Sequence, residues 1–428
     1  MSHSHQTSTV QRMKEFIGVV TELPGRLAGS QGERMAQAAL AGRLDRLGMD
    51  TVVEGAVCAP QTSVLLGTHS ALLLVALLWS LLSNGLGPVL LTSLVLLSFW
   101  GELRGRPRLV RWLLMKQLTG NMVARLRQPG SRGRVVLVAH ADVAGASTLF
   151  SPWVKRLAHY ELIGGVPLHP GTIVLVGGAT QLVASILALA LPEPSPVALA
   201  ALLMAAWIHV ATLLIAIDWW RSVPTAGAID NGSGLAVALV AAEHLVNEPL
   251  EHCELWVLAT GAREADSGGM KAFVRQFAHL LDRRATFFVN LDDVGRGELH
   301  FVSSEGRWDR LPYRPSLPAL AERLAQSDEF DGVGEVALVG RTDAGPVTEA
   351  GYRAVTLTTL VRGRAAEVLH THQDRLDSVE PRALEQTLRF VLSLAREIDS
   401  EFGRGQLDTA RVRAVSASKE PPRQVRVD

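Results

Sequence analysis

The sequence predicts an α/β domain interrupted by two transmembrane helical hairpins, and two observations predict it. Four stretches of the 428-residue chain are long, apolar and free of formal charge. Between and after them, apolar runs of strand length alternate with helix-like segments, the pattern of a mixed, largely parallel sheet.

The elements follow in chain order. "SQGERMAQAALAGRLDRLG" opens with Ser30 and Glu33 spaced as a capping box, carries Leu40, Leu44 and Leu47 at helical spacing, and stops at Gly48. "RVVLVAH" reads as a buried strand ending at His140, "GSGLAVALVAAEHLV" as a helix, "ELWVLAT" as a strand and "MKAFVRQFAHLL" as a helix. "TFFVNLD", "ELHFVS", "EVALVG" and "RAVTLTTL" read as strands, and "EPRALEQTLRFVLSLAREI" as the closing helix. The polar, Arg-rich stretch 404–428 reads as a disordered tail.

Residues 64–82, 86–100, 172–191 and 197–217 hold no Asp, Glu, Lys or Arg. A bilayer core needs roughly 20 apolar helical residues, about 17 at the short end. The turns "SNG" and "PEPSP" make each pair a hairpin, 61–101 and 171–220, inserted in a discontinuous domain of residues 1–60, 102–170 and 221–403. The cations lie on the long flanks: Arg104, Arg106, Arg108, Arg111 and Lys116, then Lys155 and Arg156, then Arg221. The positive-inside rule therefore places the polar domain in the cytosol, with Trp100, Trp219 and Trp220 in the interfacial belt and lipid around four helices. The N-terminus lacks an apolar signal core, so no cleaved signal is expected, and the protein is read as a multi-pass component of the cytoplasmic membrane. The hairpins contain His69 and His209 but no acidic or basic residue of the kind that usually marks an ion path, which argues against a transporter.

With 42 basic and 42 acidic side chains the chain has no global attraction to nucleic acid. Two cysteines, Cys58 and Cys253, form no disulfide framework or metal spacing. The chemistry lies instead at the ends of strands, where open α/β sheets bind ligands. "VLVAHAD" supplies His140 and Asp142, "GAIDNGSG" Asp230, and "TGAREAD" Glu264. "VNLDDVG" supplies Asp292 and Asp293, and "VLHTHQD" His370, His372 and Asp374. Imidazoles and carboxylates from five segments suit zinc, and five ligands suit two ions about 3.5–4 Å apart that share a carboxylate.

That order of motifs, with "GRLAGSQGERMAQAALAGRLDRLG" at the start and "RTDAGPVTEAGYRAV" before the last strand, resembles the zinc aminopeptidases and carboxypeptidases of peptidase family M28. The resemblance implies a three-layer α/β/α sandwich and two Zn²⁺ per chain. One ion would be held by His140, Asp230 and Asp292, the other by Asp230, Glu264 and His370. Asp142 would orient His140, and the Asp230–Asn231 peptide would be cis. It implies an exopeptidase acting on a peptide or amide substrate through hydroxide held on the metal.

One position departs. The family pattern places a general-base Glu before the ligand Glu, and here Arg263 precedes Glu264. A guanidinium stays protonated and cannot accept that proton. Three readings follow. A substitute base such as Asp266 or His372 acts while Arg263 binds a substrate anion or oxyanion; the register shifts by one, making Asp266 a ligand; or the chain is a catalytically silent, zinc-binding membrane scaffold. A glutaminyl cyclase would also require the missing acidic base.

Overall fold

The computed structural model describes residues 3–59, 61–83, 85–104, 109–157, 161–162, 166–167, 170–191, 195–307, 309–407 and 423–425. Arg106, Arg108, the centre of the turn at 192–194 and most of the tail lie outside them. The chain divides into two compact units: Met1–Cys58, Gln117–Ala144 and Pro224–Asp428 form the first, and Ala59–Lys116 with Gly145–Val223 the second.

The first unit is built on a ten-stranded sheet. Its strands are β1 (Asp50–Cys58), β2 (Gln117–Leu126), β3 (Gly133–His140), β4 (Cys253–Thr260), β5 (Thr286–Leu291), β6 (Glu298–Glu305), β7 (Leu311–Pro312), β8 (Gly334–Leu338), β9 (Arg353–Leu360) and β10 (Arg423–Val425). They run in the order β1-β2-β4-β3-β5-β9-β6-β8-β10, with β7 on β6. The centre is parallel: β4, β3, β5 and β9 point the same way, with His140 beside Thr260 and Leu291 beside Leu357. These carboxyl ends therefore share one ledge.

Alternation along the strands creates two buried faces. Val135, Leu137 and Ala139 pack with Val257, Val289 and Leu357 on one face, against helices α1 (His3–Thr21), α9 (Gly234–Asn247), α11 (Ser316–Ala325) and α13 (Pro381–Gly403). Val136 and Val138 pack with Trp256, Leu258 and Phe288 on the other, beneath α10 (Gly268–Phe277) and α12 (Ala344–Glu349). The sheet thus lies between two helical layers, the α/β/α sandwich the resemblance implies. Burying each Val or Leu contributes roughly 1.5–3 kcal/mol, so both faces help to fix the strand register.

Helix α2 (Gln31–Arg46) begins where expected, with Ser30 Oγ accepting from the Glu33 N–H at 3.2 Å. The return half of the capping box is diverted: the Glu33 carboxylate accepts from the Gly29 N–H and the Thr119 hydroxyl. At the far edge, Arg423–Val425 adds as a parallel strand on β8, so this part of the tail expected to be disordered is ordered by backbone pairing. Asp399 on α13 accepts the N–H groups of Glu251, His252 and Cys253 at 2.8, 2.8 and 2.7 Å and ties that helix to the start of β4. Asp399→Ala strands three donors and is expected to cost about 2–3 kcal/mol, read as a lower urea midpoint.

The second unit holds α3 (Thr62–Leu82), α4 (Leu86–Arg104), α7 (Pro170–Ala190) and α8 (Pro196–Arg221), four helices long and apolar enough to cross a membrane. Apolar side chains such as Leu82, Leu90, Leu203, Trp207 and Leu214 face outward. Polar groups meet inside: Gln181 Nε2 donates to the Leu73 carbonyl and the Thr92 hydroxyl at 3.0 Å each, and Ser80 and Ser185 are 2.8 Å apart. Such bonds join the inward faces of helices whose outward faces are apolar.

The flanks 102–116 and 145–169, expected with the α/β domain, group with these helices. Arg111 on α5 (Leu109–Leu113) pairs with Glu102 at 2.6 Å, and the Ser147 hydroxyl donates to Asp218 at 2.7 Å. A short helix α6 (Pro152–Leu157) follows.

Candidate metal centre

Five of the singled-out residues converge on the ledge formed by the strand ends. His140, Asp230 and Asp292 make one group and Asp230, Glu264 and His370 another, the candidate ligand atoms of each lying within 4.8 Å of one another. His140 Nε2 is 3.0 Å from Asp230 Oδ1 and 3.2 Å from Asp292 Oδ1, while His370 Nε2 is 2.9 Å from Asp230 Oδ2. One oxygen of Asp230 therefore faces each imidazole.

The backbone beneath is shaped to present these groups. Asp230 and Asn231 leave the helical region within the kinked turn Ala228–Ser233, and the peptide joining them is cis. Asp374 holds this turn by accepting the N–H groups of Ile229 at 2.7 Å and Asp230 at 3.2 Å. Asn231 Nδ2 donates to the Leu291 carbonyl at 2.7 Å, linking the turn to the end of β5. Asp293 and His370 have φ of 57° and 56°, and Ala262, Asp266 and Ser267 have φ of 51°, 64° and 49°. Each such non-glycine residue costs roughly 1 kcal/mol or more, and they cluster around the candidate ligands. Gly261 and Gly269 lock the loop between them: a Cβ on Gly261 would fall 1.8 Å from Glu33 Oε1, and one on Gly269 2.1 Å from the Gly261 carbonyl oxygen.

Asp142 faces His140 Nδ1 with both its carbonyl oxygen and, at 3.6 Å, its carboxylate. His140 Nδ1 lies 3.0 Å from the Asp142 carbonyl oxygen, which can only accept, so Nδ1 carries the proton in the neutral ring. The Asp142 carboxylate also accepts the N–H groups of Arg263 at 3.0 Å and Glu264 at 2.9 Å. Asp142→Asn replaces one of these acceptors by a donor, releases the loop bearing Glu264, and is expected to weaken zinc binding about 10–100-fold in a calorimetric titration.

This tautomer tests the fit of a metal. In the neutral ring Nε2 is a lone pair aimed at the oxygens of two carboxylates. That arrangement is repulsive unless the imidazole is protonated or a cation lies among them. The donor set, imidazole nitrogen with carboxylate oxygen, is the one zinc takes. Burial would lower the His140 imidazole, but its contacts with Asp142, Asp230 and Asp292 hold it well above the ordinary range. Burial and the neighbouring Asp230 and Asp292 push the Asp293 carboxyl well up.

Arg263 lies across both groups. Its Nη1 donates to Glu264 Oε1 at 2.7 Å and its Nη2 to Asp292 Oδ2 at 3.2 Å. Burial would favour its neutral form, but Asp292 and Glu264 hold the guanidinium firmly protonated. Neither of the two substitute bases considered from sequence is a member of either group. Asp266 pairs with Lys271 at 2.6 Å, and His372 is exposed, its carbonyl accepting from Arg375 Nε at 2.8 Å. The loop thus turns Glu264, and not Asp266, toward His370 and Asp230.

Two buried residues escaped sequence reasoning. Arg26 donates to the carbonyls of Ala141 at 3.0 Å and of Ala226 and Gly227 at 2.8 Å, joining the chain after His140 to the chain before Asp230. Burial pulls its guanidinium down to about 10, against Asp374, Asp230 and Asp142. Asp343 accepts from the Thr260 hydroxyl at 2.5 Å, and burial pushes its carboxyl up to about 6. Their signals were Arg26 in "PGRLAGS" and Asp343 in "RTDAGP", both inside stretches of family resemblance.

Residues 196–395 match the profile of Peptidase family M28, which bears out the resemblance read in the sequence. No curated protein matches the chain in sequence. Among solved structures, a leucine aminopeptidase precursor from Bacteroides thetaiotaomicron superposes with a TM-score of 0.52 at 11% identity, over 90% of this chain and 96% of that one. An aminopeptidase from Aneurinibacillus gives 0.50 at 14% identity, over 91% and 93%. A glutaminyl cyclase from Porphyromonas gingivalis gives 0.51 at 12% identity, over 92% and 98%. At these identities the likeness is one of fold.

Proposed function

We propose that this chain, matching peptidase family M28 over residues 196–395, is a membrane-anchored zinc hydrolase that cleaves an amide bond at a peptide end. The observation that carries the reading is the pair of imidazole–carboxylate groups joined through the two oxygens of Asp230. His140, Asp230 and Asp292 would hold one Zn²⁺, and Asp230, Glu264 and His370 a second. When bound, zinc supplies Lewis acidity that polarises a carbonyl and acidifies water.

The residues of the chain supply the rest. The Asp142 carbonyl fixes the His140 tautomer, while the Asp142 and Asp374 carboxylates set the backbone positions of Glu264 and Asp230 through N–H bonds. Arg263 presents a fixed positive charge where a proton acceptor is usual, so it removes no proton. Turnover is accordingly slow. A second reading, a silent zinc-binding scaffold, is favoured by the same observation: Arg263 is already committed to Glu264 and Asp292. The cation-rich flanks of the membrane helices support a cytosolic position for the α/β unit.

The test is incubation of detergent-purified, zinc-loaded protein with a library of peptides, aminoacyl amides and N-terminal glutaminyl peptides, with and without chelator. Chelator-sensitive release of terminal residues is expected. Cyclisation of glutaminyl peptides would replace the hydrolase by a cyclase, and no product would leave the scaffold.

A further inference from the structure

We propose that Arg263 makes the two metal positions unequal: one Zn²⁺ is held tightly by His140, Asp230 and Asp292, and a second weakly by Asp230, Glu264 and His370. This inference rests on the reading of the two groups as a metal centre and concerns how that centre fills.

Charge limits how many ions enter. The two groups together contain three carboxylates, Asp230, Glu264 and Asp292, and Arg263 adds one fixed positive charge beside them. Their net charge of minus two is cancelled by a single Zn²⁺. A second ion would enter with two positive charges uncompensated, in a pocket where water screens little. A carboxylate at position 263 would instead make the count minus four, which two ions cancel.

Geometry decides which position loses. The guanidinium is 2.7 Å from Glu264 Oε1 but 3.2 Å from Asp292 Oδ2, so its shorter hydrogen bond is to Glu264. Asp292 divides its oxygens: Oδ2 faces Arg263 while Oδ1 stays beside His140 Nε2 at 3.2 Å. The first group therefore keeps an oxygen turned to its imidazole with Arg263 in place. All three members of that group are buried, whereas Glu264 and His370 are partly open to solvent. The imidazole of the first group is also pre-set, its Nδ1–H tied to the Asp142 carbonyl. Arg263 thereby occupies, as a cation built into the chain, part of the role a second ion would fill.

The test is calorimetric titration of Zn²⁺ into metal-stripped, full-length protein in detergent. The wild type should show one tight equivalent and a second at least about tenfold weaker. Arg263→Gln and Arg263→Met both remove the charge, so one misfolded variant does not end the test. Each should tighten the second equivalent about 10–100-fold and change the first much less. Glu264→Gln should abolish the weak equivalent and leave the tight one, whereas Asp292→Asn should lose the tight one. Two equivalents of equal affinity in the wild type, or an unchanged second affinity in both neutral variants, would overturn the proposal. Two equivalents surviving in Asp230→Ala would instead sink the metal-centre reading itself.

Discussion

Arg263→Glu is expected to raise kcat for amide hydrolysis by about 10²–10⁴-fold, the usual contribution of a positioned general base. The substitution places a proton acceptor on the loop held by Asp142, beside Glu264 and Asp292. It removes the guanidinium that now spans those two carboxylates. Both changes act in one direction: the acceptor activates water, and the added negative charge draws in the second ion. The gain should appear in kcat rather than KM, because an interaction made in the transition state is being added. Comparing Arg263→Glu with Arg263→Gln separates the two contributions, since Gln relieves the charge without accepting a proton. If Arg263→Glu instead lowered an existing activity, Arg263 would be a working part of the native mechanism and not a substitute that slows it.

Asp230→Ala is expected to abolish hydrolysis and reduce zinc affinity by more than about 100-fold, beyond the 10–100-fold typical of residues that only support a ligand. The reason is geometric. Asp230 is common to both groups, one oxygen 3.0 Å from His140 Nε2 and the other 2.9 Å from His370 Nε2. No other side chain among the described residues is shared by the two groups. The backbone turn should persist without the side chain, because Asp374 holds it through the N–H groups of Ile229 and Asp230 and Asn231 holds it to Leu291. Zinc content after dialysis, measured beside the thermal midpoint, distinguishes a lost ligand from a lost fold: zinc should vanish while the midpoint of the metal-free protein stays within a few degrees.

Much of the α/β unit was legible because its central strands are buried on both faces. β3, β4, β5 and β9 read as continuous apolar runs, and their ends at His140, Thr260, Leu291 and Leu360 fell within a residue of the reading. β1 and β2 were not read. β1 lies at the sheet edge with Val52, Val53 and Val57 exposed and Glu54 and Gly55 breaking its apolar run, so it lacks the buried pattern used for the others. β10 was missed for a related reason: a short polar segment becomes a strand only through pairing with β8, which no local pattern announces.

The site was legible as an ordered set of residue types at strand ends, and the structure brings His140, Asp230, Glu264, Asp292 and His370 together. What could not be read is how they are held. Asp142 meets His140 with its carbonyl and carboxylate and also holds the Arg263–Glu264 loop by its carboxylate, a double use invisible to residue identity. Arg26 works entirely through three carbonyl groups brought together by folding. Asp266, a candidate base in the sequence, lies on a loop whose φ is positive at Ala262, Asp266 and Ser267 and pairs there with Lys271, a contact no residue pattern announces.

The central claim is that these residues form a metal centre, and anomalous X-ray scattering at the zinc edge from crystals of the zinc-loaded protein tests it most directly. A strong peak is expected among His140 Nε2, Asp230 and Asp292, and a second, weaker peak among Asp230, Glu264 and His370. Absence of anomalous density at both positions in zinc-loaded crystals, or zinc bound only elsewhere on the chain, would contradict it.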